Sequence, residues 1–191
     1  MVLDLAQKTR TIRRFDRSEI VTDTDLTYVL ECARSSASAG NLQRLRFATI
    51  TGEEADKAFT KVSLGGLLPP EKKPTFDVAP SAYIVLTSKE ETPDPNLLID
   101  TGIAAEAIVL SAAERGIGAC MIRNFNKEYF ATAVTEEFPF PILVIALGYP
   151  LEISKTVDVK AGESLKYYKN KNEENIVPKL MLYDLIIKKN N

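Results

Sequence analysis

Short hydrophobic runs alternate along the whole chain with segments in which hydrophobic residues recur every three or four positions. The runs predict buried strands, and the recurring positions predict helices with one apolar face. The predicted strands cover residues 46–51, 82–87, 119–122 and 142–148. The predicted helices cover residues 3–8, 22–35, 53–63, 96–115 and 127–136. Hydrophobic strands separated by helices indicate an α/β or α+β sandwich in which helices cover both faces of the sheet.

Local signals mark two of these helices. Thr22 has the chemistry of an N-cap, and Asp25 follows three positions later, as in a capping box. Gly116 is placed to end the long helix as a C-terminal cap. Residues 65–80 are rich in proline and polar positions and predict a loop, either a lid over a site or a solvated connector.

The C-terminal part of the chain has a different pattern. A polar stretch follows the strand at 142–148, and apolar character returns only at residues 176–187. We therefore expect one domain over residues 1–191 in which residues 150–191 form an extension. An arm that embraces a partner subunit is one interpretation of this extension.

Composition removes several classes of function. The chain has 191 residues, 45% of them hydrophobic and 26% charged, as in an ordinary soluble domain. A net charge of -2 argues against a general nucleic-acid binder, which needs a basic surface. No run of apolar residues predicts a membrane span, and the first residues lack the apolar core of a secretory signal, so we expect a cytoplasmic protein.

Histidine is absent and only two cysteines occur, Cys32 and Cys120, which we expect to be packed core thiols. Without histidine, a Ser/His/Asp or Cys/His nucleophile cannot be built, and the imidazole ligands of most metal sites are missing. We expect no metal. If the protein is an enzyme, a cofactor is expected to supply the reactive chemistry.

A basic segment over residues 9–15 allows two interpretations. Four arginines in this segment and just after it recur at helical spacing: Arg10, Arg13, Arg14 and Arg17. On a helix they would form a solvated or membrane-surface basic face. Against this, Thr9, Thr11 and Ile12 are poor helix formers. An extended segment would instead send alternate side chains to a ligand and to the core, and guanidinium groups suit a phosphate.

A serine-rich turn over residues 35–43 is also ambiguous. Ser, Gly and Asn are common where a helix ends, so the turn could be no more than the exit from the helix at 22–35. Small residues and amides also let the backbone approach a flat ligand and bind its polar edge. Taken together, the basic segment and the turn indicate a site for a phosphorylated cofactor that carries a ring.

The order of these segments resembles a known family. TRTIRRF, the turn ARSSASAGNLQ and the strand RFATI are similar to the opening of the nitroreductase superfamily of FMN-dependent oxidoreductases. PSAYIVLT, DTGIAAEAIVLSAAERGIGACMI and ILVIALGYP resemble the family's central elements in the same order. The resemblance implies a mixed, mostly antiparallel sheet flanked by helices, and a C-terminal arm that reaches the partner subunit of a homodimer.

The resemblance also assigns site residues. It places Arg10, Thr11 and Arg13 at the FMN phosphate, the ribityl chain and the pyrimidine edge of the ring. It implies that the partner subunit contributes a turn and that a backbone N–H after the strand at 119–122 meets the flavin. The remaining implied FMN contacts are Ser38, Ala39, Asn41, Gln43, Arg123, Asn124 and Lys179. The chain departs from the family pattern at Thr9, Arg44 and Leu180.

The implied activity is transfer of electrons from NAD(P)H through bound FMN to a flat acceptor such as a nitroaromatic or a quinone. No catalytic side chain is obligatory, and Arg13 is the candidate for favouring the anionic reduced flavin. Two alternatives stay open. One is a non-catalytic or degenerate flavin-binding homodimer, and the other is a different flavin reaction, such as reductive dehalogenation or flavin breakdown.

Overall fold

A five-stranded antiparallel sheet forms the centre of the protein, in a computed structural model that describes residues 2–66 and 68–187. Its strands are β1 (Phe15–Asp16), β2 (Arg46–Thr51), β3 (Ala82–Ser88), β4 (Gly118–Ile122) and β5 (Phe140–Pro150). β5 pairs with β3 along one edge and with β4 along the other, β1 pairs with the last residues of β5, and β2 pairs with β3. The four strands predicted from hydrophobic runs are confirmed.

Helices cover both faces of this sheet. The helices that pack on it are α2 (Asp23–Arg34) and α4 (Pro95–Glu114) on one face and α3 (Gly52–Phe59) and α5 (Lys127–Ala131) on the other. Two further helices, α1 (Val2–Lys8) and α6 (Leu182–Leu185), contain no buried residues. Because side chains alternate along a strand, Ile84 and Leu86 join the core under α2 and α4, whereas Tyr83 and Val85 join the core next to α3 and α5. The predicted α+β sandwich is confirmed.

The start of α2 is fixed by the predicted capping box. Thr22 Oγ1 accepts the N–H of Asp25 at 3.2 Å, and Asp25 Oδ2 accepts the N–H of Thr22 at 3.0 Å. Arg115, at the end of α4, donates from Nε to Asp25 Oδ1 at 2.6 Å. Burial raises the pKa of Asp25, but the hydrogen bonds from Thr22 and Arg115 together outweigh burial and hold that pKa below its ordinary value.

The long helix α4 is the central element of one face. Among the described residues it alone is long and apolar enough to cross a membrane, but half of its apolar window is buried within the fold. It packs on α2 and on the sheet, and Gly116 ends it with a φ of +75°. α4 therefore has the burial of a core helix, with one apolar stripe left exposed at Leu98, Ile99 and Ile103.

Two helices end earlier than the hydrophobic pattern predicts. α3 ends at Phe59 and not at residue 63, and α5 ends at Ala131 and not at residue 136. The residues after α3 instead pair with the residues after β4, where Val62 and Phe125 form a β-bridge. This pairing engages backbone N–H and C=O groups, those of Ser63 and Lys61, that would form helical hydrogen bonds in a longer α3.

The polar C-terminal segment forms a second sheet, which the sequence did not predict. β6 (Ser154–Val159) pairs in parallel with β8 (Asn175–Leu180), and β7 (Tyr168–Lys169) pairs with the other edge of β8. Half of its side chains are half-buried, and Ile176 and Pro178 are buried. Residues 150–187 therefore fold on their own chain, and the expected reach to a partner subunit stays a prediction.

Candidate functional site

The basic segment is extended, as one of the two interpretations predicted. Thr11 forms a bridge with Ala119 of β4, and the Ile12 N–H donates to the carbonyl of Ala119 at 2.9 Å. Ile12 and Phe15 are buried. Two glycines allow this contact, since a Cβ on Gly118 would lie 2.9 Å from Ile12 and a Cβ on Gly148 would lie 2.8 Å from Phe15. The prediction of a helical basic face is therefore wrong.

The arginines of this segment divide into two pairs. Arg14 Nη2 donates to the carbonyl of Lys72 at 3.0 Å. Arg17 forms an ion pair with Asp56 at 2.9 Å and lies 4.3 Å from the centre of the Phe76 ring. These two arginines tie Lys72 and Phe76 of the loop to the segment that precedes α2. Among the residues that the structure describes, Arg10 and Arg13 make no such contact with the loop.

Arg10 and Arg13 lie next to the first half of β4. Arg10 donates from Nη2 to the carbonyl of Ala6 at 2.7 Å, whereas its Nε is buried and has no hydrogen-bond partner in the described part of the chain. Burial raises the pKa of Cys120 on β4 to about 11, and the positive charge of Arg13 opposes that shift. The Arg13 charge therefore acts on the same strand that Thr11 pairs with.

The family departure at Thr9 has a structural role. Its Oγ1 donates to the carbonyl of Leu5 at 2.7 Å, so Thr9 closes the last turn of α1. Its hydroxyl is engaged there. Thr9 also carries no positive charge, unlike the basic residue that the family pattern implies at this place.

The predicted flavin-facing residues lie at the other end of β4. Arg123 and Asn124 follow the strand and are exposed. The Asn124 carbonyl accepts the Ser63 N–H at 2.8 Å, which ties this end of β4 to the segment after α3. At the rise of an antiparallel strand, Ala119 and Arg123 are separated by about 13 Å. An extended ligand could therefore contact both ends.

The serine-rich turn that follows α2 has an unusual backbone conformation. Residues Ala39–Asn41 form a 3-10 turn, and Gly40, Asn41 and Gln43 all have φ near +50°, at 58°, 54° and 48°. Left-handed backbone is unfavourable for Asn and more so for Gln, and such backbone occurs often at functional sites. Gln43 N–H donates to Ser38 Oγ at 3.2 Å, and Gln43 Nε2 donates to Asn41 Oδ1 at 3.1 Å, so the turn is held internally.

Asp100 of α4 also holds this turn, and sequence reasoning missed it. Its side chain is only 3% exposed, and Oδ1 accepts the Ala39 N–H at 2.9 Å. The second oxygen, Oδ2, is buried without a hydrogen-bond partner in the described ranges. A single aspartate on a predicted helix carries no signal for a contact with a turn about sixty residues earlier.

The departure at Arg44 is also explained. Arg44 forms two hydrogen bonds to Asp94, at 2.9 and 3.0 Å, and Asp94 Oδ1 also caps α4 by accepting the Leu97 N–H at 2.8 Å. The hydrogen bond from Arg44 lowers the pKa of Asp94 to about 2. Arg44 therefore joins the turn to the start of α4.

The predicted residues do not all meet within one chain. Arg10, Thr11, Arg13, Arg123 and Asn124 lie along β4. Within the described residues, no hydrogen bond or ion pair joins the turn at 38–43 to this group, or Lys179 to this group. Lys179 is exposed on β8, opposite Asp158 of β6.

A cavity of about 580 Å³ opens beside Asn124. Two phenylalanines, two lysines and two asparagines contribute to its wall: Phe59, Phe125, Lys61, Lys73, Asn124 and Asn126. A volume of this size accommodates a small organic ligand. No sequence pattern indicates this cavity, because it depends on the pairing between the segments after α3 and β4.

The family model described as "Nitroreductase family" matches residues 6–149 of the chain. The chain belongs to the nitroreductase family. Among curated relatives, the Bacillus subtilis (strain 168) protein YodC, named as an NAD(P)H nitroreductase, is 22% identical over 178 residues. The alignment covers 76% of this chain and 88% of YodC.

Solved structures of this family share the fold. An FMN-dependent nitroreductase from Clostridium difficile R20291 superposes with a TM-score of 0.64 at 20% identity, covering 99% of both chains. A nitroreductase family protein from Clostridium novyi NT superposes with a TM-score of 0.62 at 20% identity, covering 78% of this chain and 85% of that one. The match to the family model ends at residue 149, so Glu152 and Lys179 lie beyond it.

Proposed function

We propose that the protein is an FMN-dependent oxidoreductase that transfers electrons from NAD(P)H to a flat acceptor, such as a nitroaromatic or a quinone. The observation that carries this proposal is the arrangement along β4 in a chain of the nitroreductase family. Arg10, Thr11 and Arg13 lie near one end of the strand, and Arg123 and Asn124 follow its other end.

The donor set at the first end suits the phosphate of FMN. Guanidinium groups form strong, directional hydrogen bonds to phosphate, and a hydroxyl adds a further donor. Arg10 Nε is buried without a partner in the described part of the chain, which is unfavourable unless a ligand supplies an acceptor. The exposed Thr11 hydroxyl lies on the same segment.

Bound FMN would supply the electron-transfer chemistry. The chain would supply binding and charge. Arg10 and Thr11 would hold the phosphate and the ribityl chain, and Arg13 would place a positive charge toward the ring, where it stabilises negative charge. The backbone at residues 123–124 would donate a hydrogen bond to the ring, in a position fixed by the bond between Ser63 and Asn124.

We also propose that the protein is a homodimer and that its sites lie at the interface. The apolar stripe of α4 is exposed in the single chain, with Ile99 60% exposed. Asp100 on the same helix holds the turn at 38–43, so a partner that covers the stripe would lie next to this turn. The turn would then contact the flavin held by the other subunit, and residues 150–191 could reach the partner.

Sedimentation of an α4 variant tests the dimer. Ile99→Glu should shift the protein from dimer to single-chain mass, because a charge cannot be buried in an apolar interface without a large cost. Ile20→Glu is the matched control, since Ile20 is 68% exposed and lies outside α4. A parent protein that sediments as a single chain would overturn the dimer.

Anaerobic titration tests the activity. The purified protein, supplied with FMN, is titrated with NADH and then with NADPH while flavin absorbance is followed, and turnover with a quinone is measured afterwards. We expect bleaching by at least one nucleotide and steady turnover. Failure of the protein to bind FMN at micromolar concentration would overturn the proposal.

A degenerate flavin-binding dimer is the second candidate. The observation in its favour is that Thr9 replaces a basic residue of the family pattern and that its hydroxyl donates to the carbonyl of Leu5. Bound flavin that neither nucleotide reduces would support this candidate. The cytoplasmic location expected from the sequence is likewise a proposal.

Both cysteines are free thiols. Cys120 is packed in the core as expected, whereas the expectation for Cys32 is wrong, because Cys32 is only half-buried.

A further inference from the structure

The cavity beside Asn124 adjoins the end of β4. Its floor includes the bridge between Val62 and Phe125, and the Asn126 N–H donates to the Lys61 carbonyl at 2.8 Å. On the outer side, the 65–80 loop contributes Lys73 and is fastened by Arg14 and Arg17. The cavity therefore has a defined position next to the segment proposed to meet the flavin ring.

Two aromatic rings in the wall are held in place by other rings. Phe59 packs edge to face on Phe76 with a centroid distance of 5.9 Å, and Phe125 packs on Phe130 at 5.5 Å. Preorganised aromatic surface favours a flat, ring-bearing ligand. The volume of about 580 Å³ suits a compound with one or two rings.

The charged side chains in the cavity wall are all positive. Lys61 and Lys73 contribute to its wall, and none of the described residues in the wall is acidic. Neither lysine forms an ion pair within the described residues, whereas Arg17, Arg44 and Arg115 all do. The Lys61 ammonium instead lies 5.8 Å from the centre of the Tyr129 ring. In a chain with net charge -2, this is a local positive region.

We propose that this cavity binds a flat aromatic carboxylate and that such an anion is the preferred electron acceptor. The proposal rests on the proposed function and names the substrate class of the same site. The aromatic walls would hold the ring, the lysines would attract the carboxylate, and the side-chain amides of Asn124 and Asn126 offer further hydrogen-bond donors.

Paired acceptors test this proposal. 4-Nitrobenzoate and 4-nitrobenzamide have the same ring and nitro group but differ in charge. In the FMN-loaded protein, we expect a lower KM for the benzoate, and a KM ratio that approaches one at high salt because ions screen exposed charges. Lys61→Met and Lys73→Met should each shift the ratio about fivefold against the benzoate, the size of an exposed charge pair near the upper end of its range.

Lys127→Met is the matched control, because Lys127 is exposed at the start of α5 and does not line the cavity. It should leave the KM ratio unchanged. Equal KM values for the two acceptors, or an equal shift in all three variants, would overturn the anion site. A shift confined to the NADPH:NADH ratio would also overturn it, since the lysines would then bind the nucleotide phosphate. Loss of turnover with both acceptors in the parent protein would instead contradict the proposed function.

Discussion

Asp100 provides a test of what holds the turn at residues 38–43 in place. Replacing it with alanine removes the acceptor of the Ala39 N–H, a hydrogen bond of 2.9 Å to a carboxylate that is 3% exposed. A hydrogen bond to a charged group contributes about 1.5–3 kcal/mol to stability, and Ala39 is half-buried, so water replaces the lost acceptor only in part. We therefore expect Asp100→Ala to lower the free energy of unfolding by about 2 kcal/mol.

Asp100→Asn separates the acceptor from the charge. The amide oxygen can still accept the Ala39 N–H, and the variant no longer buries a carboxylate whose Oδ2 has no partner in the described residues. We expect it to change the free energy of unfolding by less than about 0.5 kcal/mol, since a weaker hydrogen bond is offset by a smaller desolvation cost.

Urea unfolding of the flavin-free protein, followed by circular dichroism, measures both values. Asp184→Ala is the matched control, because Asp184 accepts the Ala161 N–H at the same distance of 2.9 Å but at an exposed site. Water can replace that acceptor, so the control should cost well under 1 kcal/mol. Equal costs for Asp100→Ala and Asp100→Asn would refute the reasoning, because the charge and not the acceptor would then hold the turn.

Three further predictions concern the elements around the site. Gly148→Ala should lower stability by about 1–3 kcal/mol, since its Cβ would lie 2.8 Å from Phe15, and an unchanged thermal midpoint would contradict this. Asp94, whose pKa the hydrogen bond from Arg44 lowers to about 2, stabilises the fold fully above its ordinary pKa of 3.8 and loses that contribution as pH falls toward 2. The urea midpoint of Asp94→Asn should therefore lie below that of the parent at neutral pH and meet it near pH 2. Arg13→Ala should raise the dissociation constant of FMN and lower turnover, and unchanged values in a fluorescence titration and a rate assay would rule out its proposed role.

Elements with strong local signals were predictable from the sequence. The capping box at Thr22 and Asp25 located the start of α2, and Gly116 located the end of α4. Dense apolar runs located β3 and β5, because a strand buried on both faces needs apolar residues at every position. In each of these cases the signal lies within a few residues of the element.

Elements that depend on distant partners were not predictable. No sequence signal near Thr60 indicates that the chain leaves α3 there and pairs with residues 124–126. β6 has a weak pattern because both of its faces are partly exposed, and its partner β8 lies some twenty residues further along. The same limit applied to the site, where the sequence could not show which arginines face the loop and which remain near β4.

Glu152 connects the segment matched by the family model, residues 6–149, to the C-terminal sheet beyond it. Its Oε1 accepts the Arg13 N–H at 2.6 Å, and its Oε2 accepts from Asn175 Nδ2 at 3.1 Å. One carboxylate thus anchors the backbone of a proposed phosphate-binding arginine to the small C-terminal sheet. A chain shortened after residue 149 would keep the whole segment matched by the family model and still lose this anchor, so exchanging the tail between homologues is expected to change how the backbone of Arg13 is held.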